Sequence, residues 1–259
     1  MPLFSPIAGL ENRVVLLTRP REESLALAPC IARLGARPLI FPTLEIEPIE
    51  PDAASLDVLE HLAQFDLAIF ISANAVRAGM ALVRRLGGWP AALRAAGVGQ
   101  ATGAALLREG VGASLVPVDG ADSEALLRLP ELQCVAGRQI AIFRGVGGRE
   151  MLAETLRARG ATVRYIECYR RVRPQSDTAD VARALADGAL AAIVAASGES
   201  LANLLTLVGD QYVEALRSIP LFVQHRNVAQ RARALGFSDI AIFEGGDTGL
   251  CDTLRSRFA

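Results

Sequence analysis

A chain of 259 residues, 51% of them apolar, can bury one large core or two cores of ordinary domain size. Its formal net charge is −1, so no basic excess favours nucleic acid as a partner and no charge run predicts a disordered tail. All 27 basic residues are Arg, which excludes lysine-dependent classes such as Schiff-base enzymes, pyridoxal-phosphate enzymes and Walker-A nucleotide hydrolases.

The first half of the chain alternates strand and helix patterns. A helix predicted over residues 22–34 ends at Gly35, and Pro42 and Pro48 bracket a short extended stretch after the second strand. Strands are predicted over residues 13–18, 36–41, 66–71, 95–98 and 113–118. Strands that alternate with helices predict a parallel sheet with helices on both faces.

The second half repeats the same order of patterns. A helix predicted over residues 148–159 ends at Gly160, and Pro174 closes a polar stretch over residues 167–173. Strands are predicted over residues 139–143, 161–166, 190–195, 220–223 and 238–243. The polar stretch matches the one between the two prolines of the first half, so we interpret both as linkers.

Equivalent residues of the two halves lie about 125 positions apart, which indicates an internal duplication. Ser72 and Ser197 both follow apolar strands, and 197 − 72 = 125. Residues 114–123 and 239–248 keep the same offset. The pattern predicts an α/β fold of two similar doubly wound lobes, each with a parallel five-stranded sheet. A cleft between two such lobes is a common ligand site.

Neither a targeting segment nor a bound metal is expected. The N-terminal residues lack a basic region followed by an apolar stretch, and no apolar run approaches the ~18 residues of a membrane span. The cysteines Cys30, Cys134, Cys168 and Cys251 form no CxxC pair, and the chain has only two histidines. We therefore expect a cytoplasmic protein with free thiols, no disulfide framework, no metal site and no contact with membranes.

Small residues and hydroxyl groups follow several predicted strands, at the edge where ligands bind in parallel sheets. Taken singly, each is explained by N-capping of the next helix. Taken together, these turns offer backbone N–H groups that attract anions. The candidate binding residues in them are Ser72, Asn74, Gly99, Thr102, Ser123, Ser197 and Gly198.

Arginine and tyrosine residues supply the other candidate contacts. Arg19 follows the first strand of the first repeat. The turn after the first strand of the second repeat contains Arg144, Gly145 and Arg149, and Arg226 lies in a later turn of that repeat. Such residues are either solvated surface charges or, gathered at one cleft, a site for a polycarboxylate. Tyr169 lies in the polar stretch interpreted as a linker, which is either a solvated edge strand or the border of a cleft.

Two glycine patterns resemble a dinucleotide-binding motif but lack one of its glycines, so they argue against dinucleotide binding. Gly97-Val98-Gly99 has Thr102 where a third glycine is needed, and Gly145-Val146-Gly147 has Glu150 there. A nucleotide-dependent enzyme of doubly wound fold therefore ranks behind the other interpretations.

The ordered set of these motifs resembles the uroporphyrinogen-III synthase family over nearly the whole chain, although no single motif is specific. The matching segments are Leu17-Thr18-Arg19-Pro20, Phe70-Ile71-Ser72-Ala73-Asn74, Gly97-Val98-Gly99-Gln100-Ala101-Thr102, Asp122-Ser123-Glu124, Arg144-Gly145 and Tyr169-Arg170-Arg171-Val172. The resemblance implies a monomer whose two lobes are joined by a two-stranded linker. One lobe would combine residues 1–40 with 174–259, the other would hold 49–166, and the linker strands would be 41–48 and 167–173.

The resemblance also implies an activity. The family closes the linear tetrapyrrole hydroxymethylbilane into uroporphyrinogen III, with loss of water and inversion of the last pyrrole ring, and needs no cofactor. It implies a functional role for Tyr169 and contacts at Ser72, Thr102 and Ser197, and it is consistent with transfer of the substrate from hydroxymethylbilane synthase. Residues 224–227 depart from the family, because Gln-His-Arg-Asn replaces a Gly-Pro-Thr-like turn. The alternative from another class is a non-catalytic two-lobe binding protein for an anionic small molecule.

Overall fold

The computed structural model describes residues 7–112, 114–120, 122–148 and 150–259, so Arg149 lies outside the described residues. The chain divides into two compact units. The first contains residues up to Glu45 together with Val172–Ala259, and the second contains Ile46–Arg171.

The first unit is built on a five-stranded sheet with the order β11-β10-β9-β1-β2. Its strands are β1 (Val14–Leu17), β2 (Arg37–Ile40), β9 (Leu190–Ala195), β10 (Leu221–Val223) and β11 (Ile240–Ile242). Its helices are α1 (Arg21–Arg33), α8 (Ala179–Ala186), α9 (Gly198–Val208), α10 (Asp210–Arg217), α11 (Arg226–Ala234) and α12 (Gly246–Phe258). All the paired strands of this sheet run parallel.

The second unit is built on a six-stranded sheet with the order β3-β8-β7-β4-β5-β6. Its strands are β3 (Glu45–Pro48), β4 (Leu67–Phe70), β5 (Arg94–Gly97), β6 (Ser114–Leu115), β7 (Gln139–Gly145) and β8 (Thr162–Val172). Its helices are α2 (Ala53–Glu60), α3 (Ala73–Arg85), α4 (Gln100–Arg108), α5 (Ser123–Leu127), α6 (Pro130–Gln133) and α7 (Met151–Ala158).

The two sheets exchange strands between the sequence repeats. Strands β1 and β2 belong to the first repeat, but they pair with β9–β11 of the second. Strands β7 and β8 open the second repeat, but they join β4–β6 of the first. The first strand of each repeat therefore sits inside the sheet of its unit, where β1 and β7 occupy equivalent positions.

Each sheet is buried on both faces, which explains the continuous apolar runs of its central strands. Val14 and Leu16 belong to one apolar cluster of the first unit, whereas Val15 and Leu17 belong to another. Successive side chains of a strand point to opposite faces, so the two clusters lie on either side of the sheet. Within the described ranges, every helix is too short or too polar to cross a membrane.

The number and extent of the strands differ from the prediction in three places. The second sheet has six strands rather than five because β3, predicted as part of a linker strand, pairs with β8. The stretch 167–172, predicted as the other linker strand, is the end of β8 rather than a separate strand. Strand β6 is only two residues long, where 113–118 was predicted, and Pro117 explains this because it cannot donate a hydrogen bond to a neighbouring strand.

The expectation that all four cysteines are free thiols is wrong for one pair. Cys30 of α1 and Cys251 of α12 form a disulfide with their Cα atoms 6.7 Å apart, across a sequence separation of 221 residues. Helices α1 and α12 pack together in the first unit, and spacing along the sequence cannot show such a pairing. Cys134 is free and exposed, and Cys168 is free and buried.

Candidate active site

A pocket of about 320 Å³ opens at the carboxyl ends of β4, β5 and β7 in the second unit. This edge of a parallel sheet is the usual place for a ligand, because the strands end there and the helices begin. The polar residues that line the pocket are Asp122, Ser123, Arg144, Tyr165, Tyr169 and Arg171, with Gly145 and Gly148 among the backbone contributors.

Arg144 is the buried cation of this pocket. It is the penultimate residue of β7, and its side chain is only 4% exposed. Its Nη1 donates to Oε1 of Glu150 at 2.7 Å, and its Nε donates to the carbonyl oxygen of Gly145 at 3.3 Å. The guanidinium carbon lies 4.5 Å from the centre of the Tyr165 ring, an arrangement in which the ring stabilises the positive charge.

Glu150 links the arginine to Tyr165. The Tyr165 hydroxyl donates to Oε2 of Glu150 at 2.5 Å, while Oε1 accepts from Arg144. The hydrogen bond from Tyr165, followed by that from Arg144, lowers the pKa of Glu150. Burial and the bond to Glu150 raise the pKa of Tyr165. At neutral pH the cluster therefore pairs an ionised carboxylate with a neutral phenol and a guanidinium.

Tyr169 places a second phenol in the same pocket. Its side chain is 1% exposed, and its hydroxyl lies 3.2 Å from Oγ of Ser72. Ser72 caps α3, because its Oγ accepts from the backbone N–H of Ala75 at 3.1 Å. Gly145 pairs with Tyr169 across β7 and β8, and a Cβ at Gly145 would approach the Tyr169 ring to 2.7 Å. The glycine therefore makes room for the ring.

The candidate residues of the first unit lie at the carboxyl edge of its own sheet. Arg19 is 7% exposed, and its Nη1 donates to Oδ1 of Asp247 at 2.7 Å. Ser197 caps α9 through the backbone N–H of Ser200 at 3.0 Å. Ser197 and Gly198 line a shallow pocket of about 640 Å³, and Arg226 is exposed at the start of α11.

The pocket of the second unit gathers four of the predicted residues, Ser123, Arg144, Gly145 and Tyr169, and Ser72 reaches it through the tyrosine hydroxyl. The remaining predicted residues of this unit do not line it. Asn74 accepts a hydrogen bond from Arg77, Gly99 precedes α4 as its cap residue, and Thr102 is buried with its side chain packed against Gly97.

Sequence reasoning missed Tyr165 and Glu150. The predicted strand 161–166 contains Tyr165, whereas Tyr169 falls in the stretch interpreted as a linker. In the structure the register of β8 shifts between Glu167 and Tyr169, so even spacing along the strand does not explain why both tyrosines line the pocket. Glu150 was considered only as a residue that breaks a nucleotide motif. Among the described residues, no group of three or more His, Cys, Asp or Glu side chains is arranged to hold a metal ion.

Comparison with known proteins gives one consistent result. The family model described as uroporphyrinogen-III synthase HemD matches residues 26–245. The uroporphyrinogen-III synthases of Salmonella typhimurium and Escherichia coli are 37% and 35% identical over 235 residues, which is 90% of this chain and 96% of each relative.

Solved structures agree at the level of the fold. A mutant uroporphyrinogen III synthase from the extremely thermophilic bacterium Thermus thermophilus superposes with a TM-score of 0.66 at 22% identity, covering 95% of this chain and 98% of that one. The enzyme from Helicobacter pylori gives a TM-score of 0.60 at 14% identity, covering 95% and 100%. With the family model and the two bacterial relatives spanning most of its length, the chain belongs to the uroporphyrinogen-III synthase family.

Proposed function

We propose that this chain is a hydro-lyase that closes hydroxymethylbilane into uroporphyrinogen III, with loss of water and inversion of the last pyrrole ring. The observation that carries the residue roles is the pocket of the second unit, which a buried arginine and a buried tyrosine both line. A pocket of about 320 Å³ admits one substituted pyrrole rather than a whole tetrapyrrole. We therefore expect it to hold one ring of the substrate.

Arg144 recognises a carboxylate of that ring in this proposal. Its guanidinium is held by Gly145 and stacked on Tyr165, so little side-chain freedom remains to be lost on binding. An arginine presents several N–H groups in one plane, which matches the two oxygens of a carboxylate. Gly145 and Gly148 at the pocket wall leave room for the Tyr169 ring and the Arg144 guanidinium, which a Cβ at these positions would approach to 2.7 Å and 2.6 Å.

Tyr169 assists the departure of the substrate hydroxyl group. A hydroxyl ion is a poor leaving group, and a proton from a neighbouring acid lowers the barrier to its loss. Tyr169 lines the pocket and its hydroxyl has Ser72 Oγ at 3.2 Å, so the orientation of the phenol is held before the substrate arrives. The remaining task is to hold the flexible chain so that the inverted ring closes, which is catalysis by positioning.

A catalytic assay separates this proposal from a binding protein with the same pocket. Protein at a small fraction of the concentration of freshly made hydroxymethylbilane should convert many equivalents of it to the isomer with the inverted ring, which the spontaneous closure does not give, and a chelator should not change the rate. Stoichiometric binding without turnover would favour the binding protein. Activity that a chelator removes and a divalent ion restores would contradict the metal-free mechanism.

A further inference from the structure

The cluster of Arg144, Glu150 and Tyr165 leads to an inference that rests on the proposed function and deepens it. Glu150 is the last residue before α7, yet its side chain caps no backbone N–H of that helix. Its two oxygens instead accept from Arg144 Nη1 at 2.7 Å and from the Tyr165 hydroxyl at 2.5 Å. The contacts of this carboxylate are thus directed at the pocket residues rather than at its own helix.

The exposures of the two partners are very different. The Arg144 side chain is 4% exposed, whereas that of Glu150 is 49% exposed. The cation is therefore fixed inside the wall of the pocket, and the anion that neutralises it lies at the surface. Gly147, which follows β7 at the pocket wall, has a φ of 62°, a backbone conformation that residues other than glycine rarely adopt.

The two donors that hold Glu150 are those that a carboxylate ligand needs. A carboxylate from outside can accept from the guanidinium with one oxygen and from the phenol with the other, as Glu150 does. Exchange of one carboxylate for the other leaves no donor of the cluster unpaired, so it avoids the cost of a buried unsatisfied group. Glu150 is released into water, where a half-exposed side chain is readily solvated.

The other unit contains a comparable pair. Arg19 is equivalent to Arg144 by the repeat, since 144 − 19 = 125. The side chain of Arg19 is 9% exposed and that of its partner Asp247 is 48% exposed, with Nη1 and Oδ1 2.7 Å apart. The carboxylates of Glu150 and Asp247 do not occupy equivalent positions of the repeat. Each unit therefore pairs a buried arginine with a half-exposed carboxylate, although the repeat relates only the two arginines.

We propose that Glu150 is a resident carboxylate, which occupies the Arg144–Tyr165 site in the free protein and is displaced by a carboxylate group of the tetrapyrrole. In this role Glu150 competes with the ligand. Removal of its charge strengthens ligand binding, whereas a glutamate that merely orients Arg144 would, when removed, weaken it.

The test measures the dissociation constant of uroporphyrin III, the oxidised form of the product, by fluorescence titration. Glu150→Gln should lower Kd by up to about fivefold, the upper value for a half-exposed ion pair. Arg144→Gln should raise Kd on the order of tenfold or more, since it removes hydrogen bonds to a charged group. In the Arg144→Gln background, Glu150→Gln should lower Kd by less than it does in the wild type, because only the Tyr165 hydroxyl remains for the glutamate to block.

Glu154→Gln is the matched control, because Glu154 lies exposed in the first turn of α7 and loses the same charge. It should leave Kd unchanged. Glu150→Asp is a second variant, which keeps the charge but is too short to maintain both contacts, and it should also lower Kd. A rise in Kd for Glu150→Gln, or an equal fall for Glu154→Gln, would overturn the inference.

A second probe separates this inference from the proposed function. Mellitate, a benzene ring with six carboxylates, tests the site for carboxylates alone. If uroporphyrin III fails to bind but Glu150→Gln binds mellitate more tightly than the wild type, the site stands and the proposed substrate is wrong. If neither probe binds more tightly to Glu150→Gln than to the wild type, the resident-carboxylate role is wrong.

Discussion

At the scale of single residues, the proposed catalysis depends most on the hydroxyl group of Tyr169. If this group donates a proton to the departing hydroxyl, Tyr169→Phe should slow single turnover by about 10²–10⁴-fold. The variant keeps the ring that packs against Gly145, so the free energy of unfolding should fall by only about 1 kcal/mol for the lost hydrogen bond to Ser72. Rapid-quench kinetics and urea unfolding measure the two effects.

Ser72→Ala and Thr102→Val are the companions of that variant. Ser72→Ala removes the cap of α3 and should lower the free energy of unfolding by about 1 kcal/mol, whereas Tyr169 keeps its hydroxyl group in this variant. Neither Ser72 nor Thr102 lines the pocket, so both substitutions should slow turnover less than Tyr169→Phe does. A loss below tenfold in Tyr169→Phe would limit the tyrosine to orienting the substrate.

The two free cysteines should differ sharply in reactivity. Burial raises the pKa of Cys168 to about 12, so at pH 8 this thiol stays protonated and cannot act as a nucleophile. Cys134 is exposed. Iodoacetamide labelling followed by peptide mass spectrometry should modify Cys134 in the folded protein and Cys168 only after unfolding. Rapid modification of Cys168 in the folded state would show that the centre of the second unit opens readily.

At the scale of elements, the pairing of β7 with β8 positions the phenol. A Cβ at Gly145 would lie 2.7 Å from the ring of Tyr169, which is closer than packed atoms allow. Gly145→Ala should therefore displace the ring from Ser72, reduce turnover, and lower the free energy of unfolding by about 1–3 kcal/mol. Gly112→Ala is the control, because a Cβ there has open space, and it should alter neither quantity. Wild-type turnover in Gly145→Ala would contradict this role.

The same pairing shows where sequence reasoning was limited. The apolar runs at β1, β4, β7 and β9 identified the strands, because burial on both faces leaves little room for polar residues. The polar stretch that contains Tyr169 was interpreted as a linker, since it is polar and matches the stretch between the two prolines of the first half. In the structure that stretch is the end of β8, and the sequence could not show this because it depends on which strand pairs with it.

At the scale of the whole molecule, the 125-residue repeat predicted two similar sets of strands but not, by itself, the exchange of strands between them. That exchange came from resemblance to a family, and spacing within one chain carries no information on it. The site residues also include some that the sequence could predict and some that it could not. Arg144 was predicted from its place after a strand, whereas Glu150 acquires meaning only from its distances to Arg144 and Tyr165.

The charge of the ligand leads to a prediction for the whole protein. Recognition of a polycarboxylate by arginine and backbone N–H groups should weaken as salt screens the charges. The Kd of uroporphyrin III should therefore rise between about 50 mM and about 500 mM sodium chloride, and it should rise less steeply in Arg144→Gln. A salt dependence that is identical in the variant would remove this arginine from recognition of the ligand.

The identity of the cyclised product tests the central claim most directly. Hydroxymethylbilane closes without a catalyst to the isomer in which the last ring is not inverted, so only a protein that positions that ring can yield isomer III. The purified chain should convert freshly made hydroxymethylbilane to uroporphyrinogen III faster than the spontaneous closure, as measured by chromatographic separation of the oxidised isomers. Isomer I alone, formed at the spontaneous rate, would contradict the account.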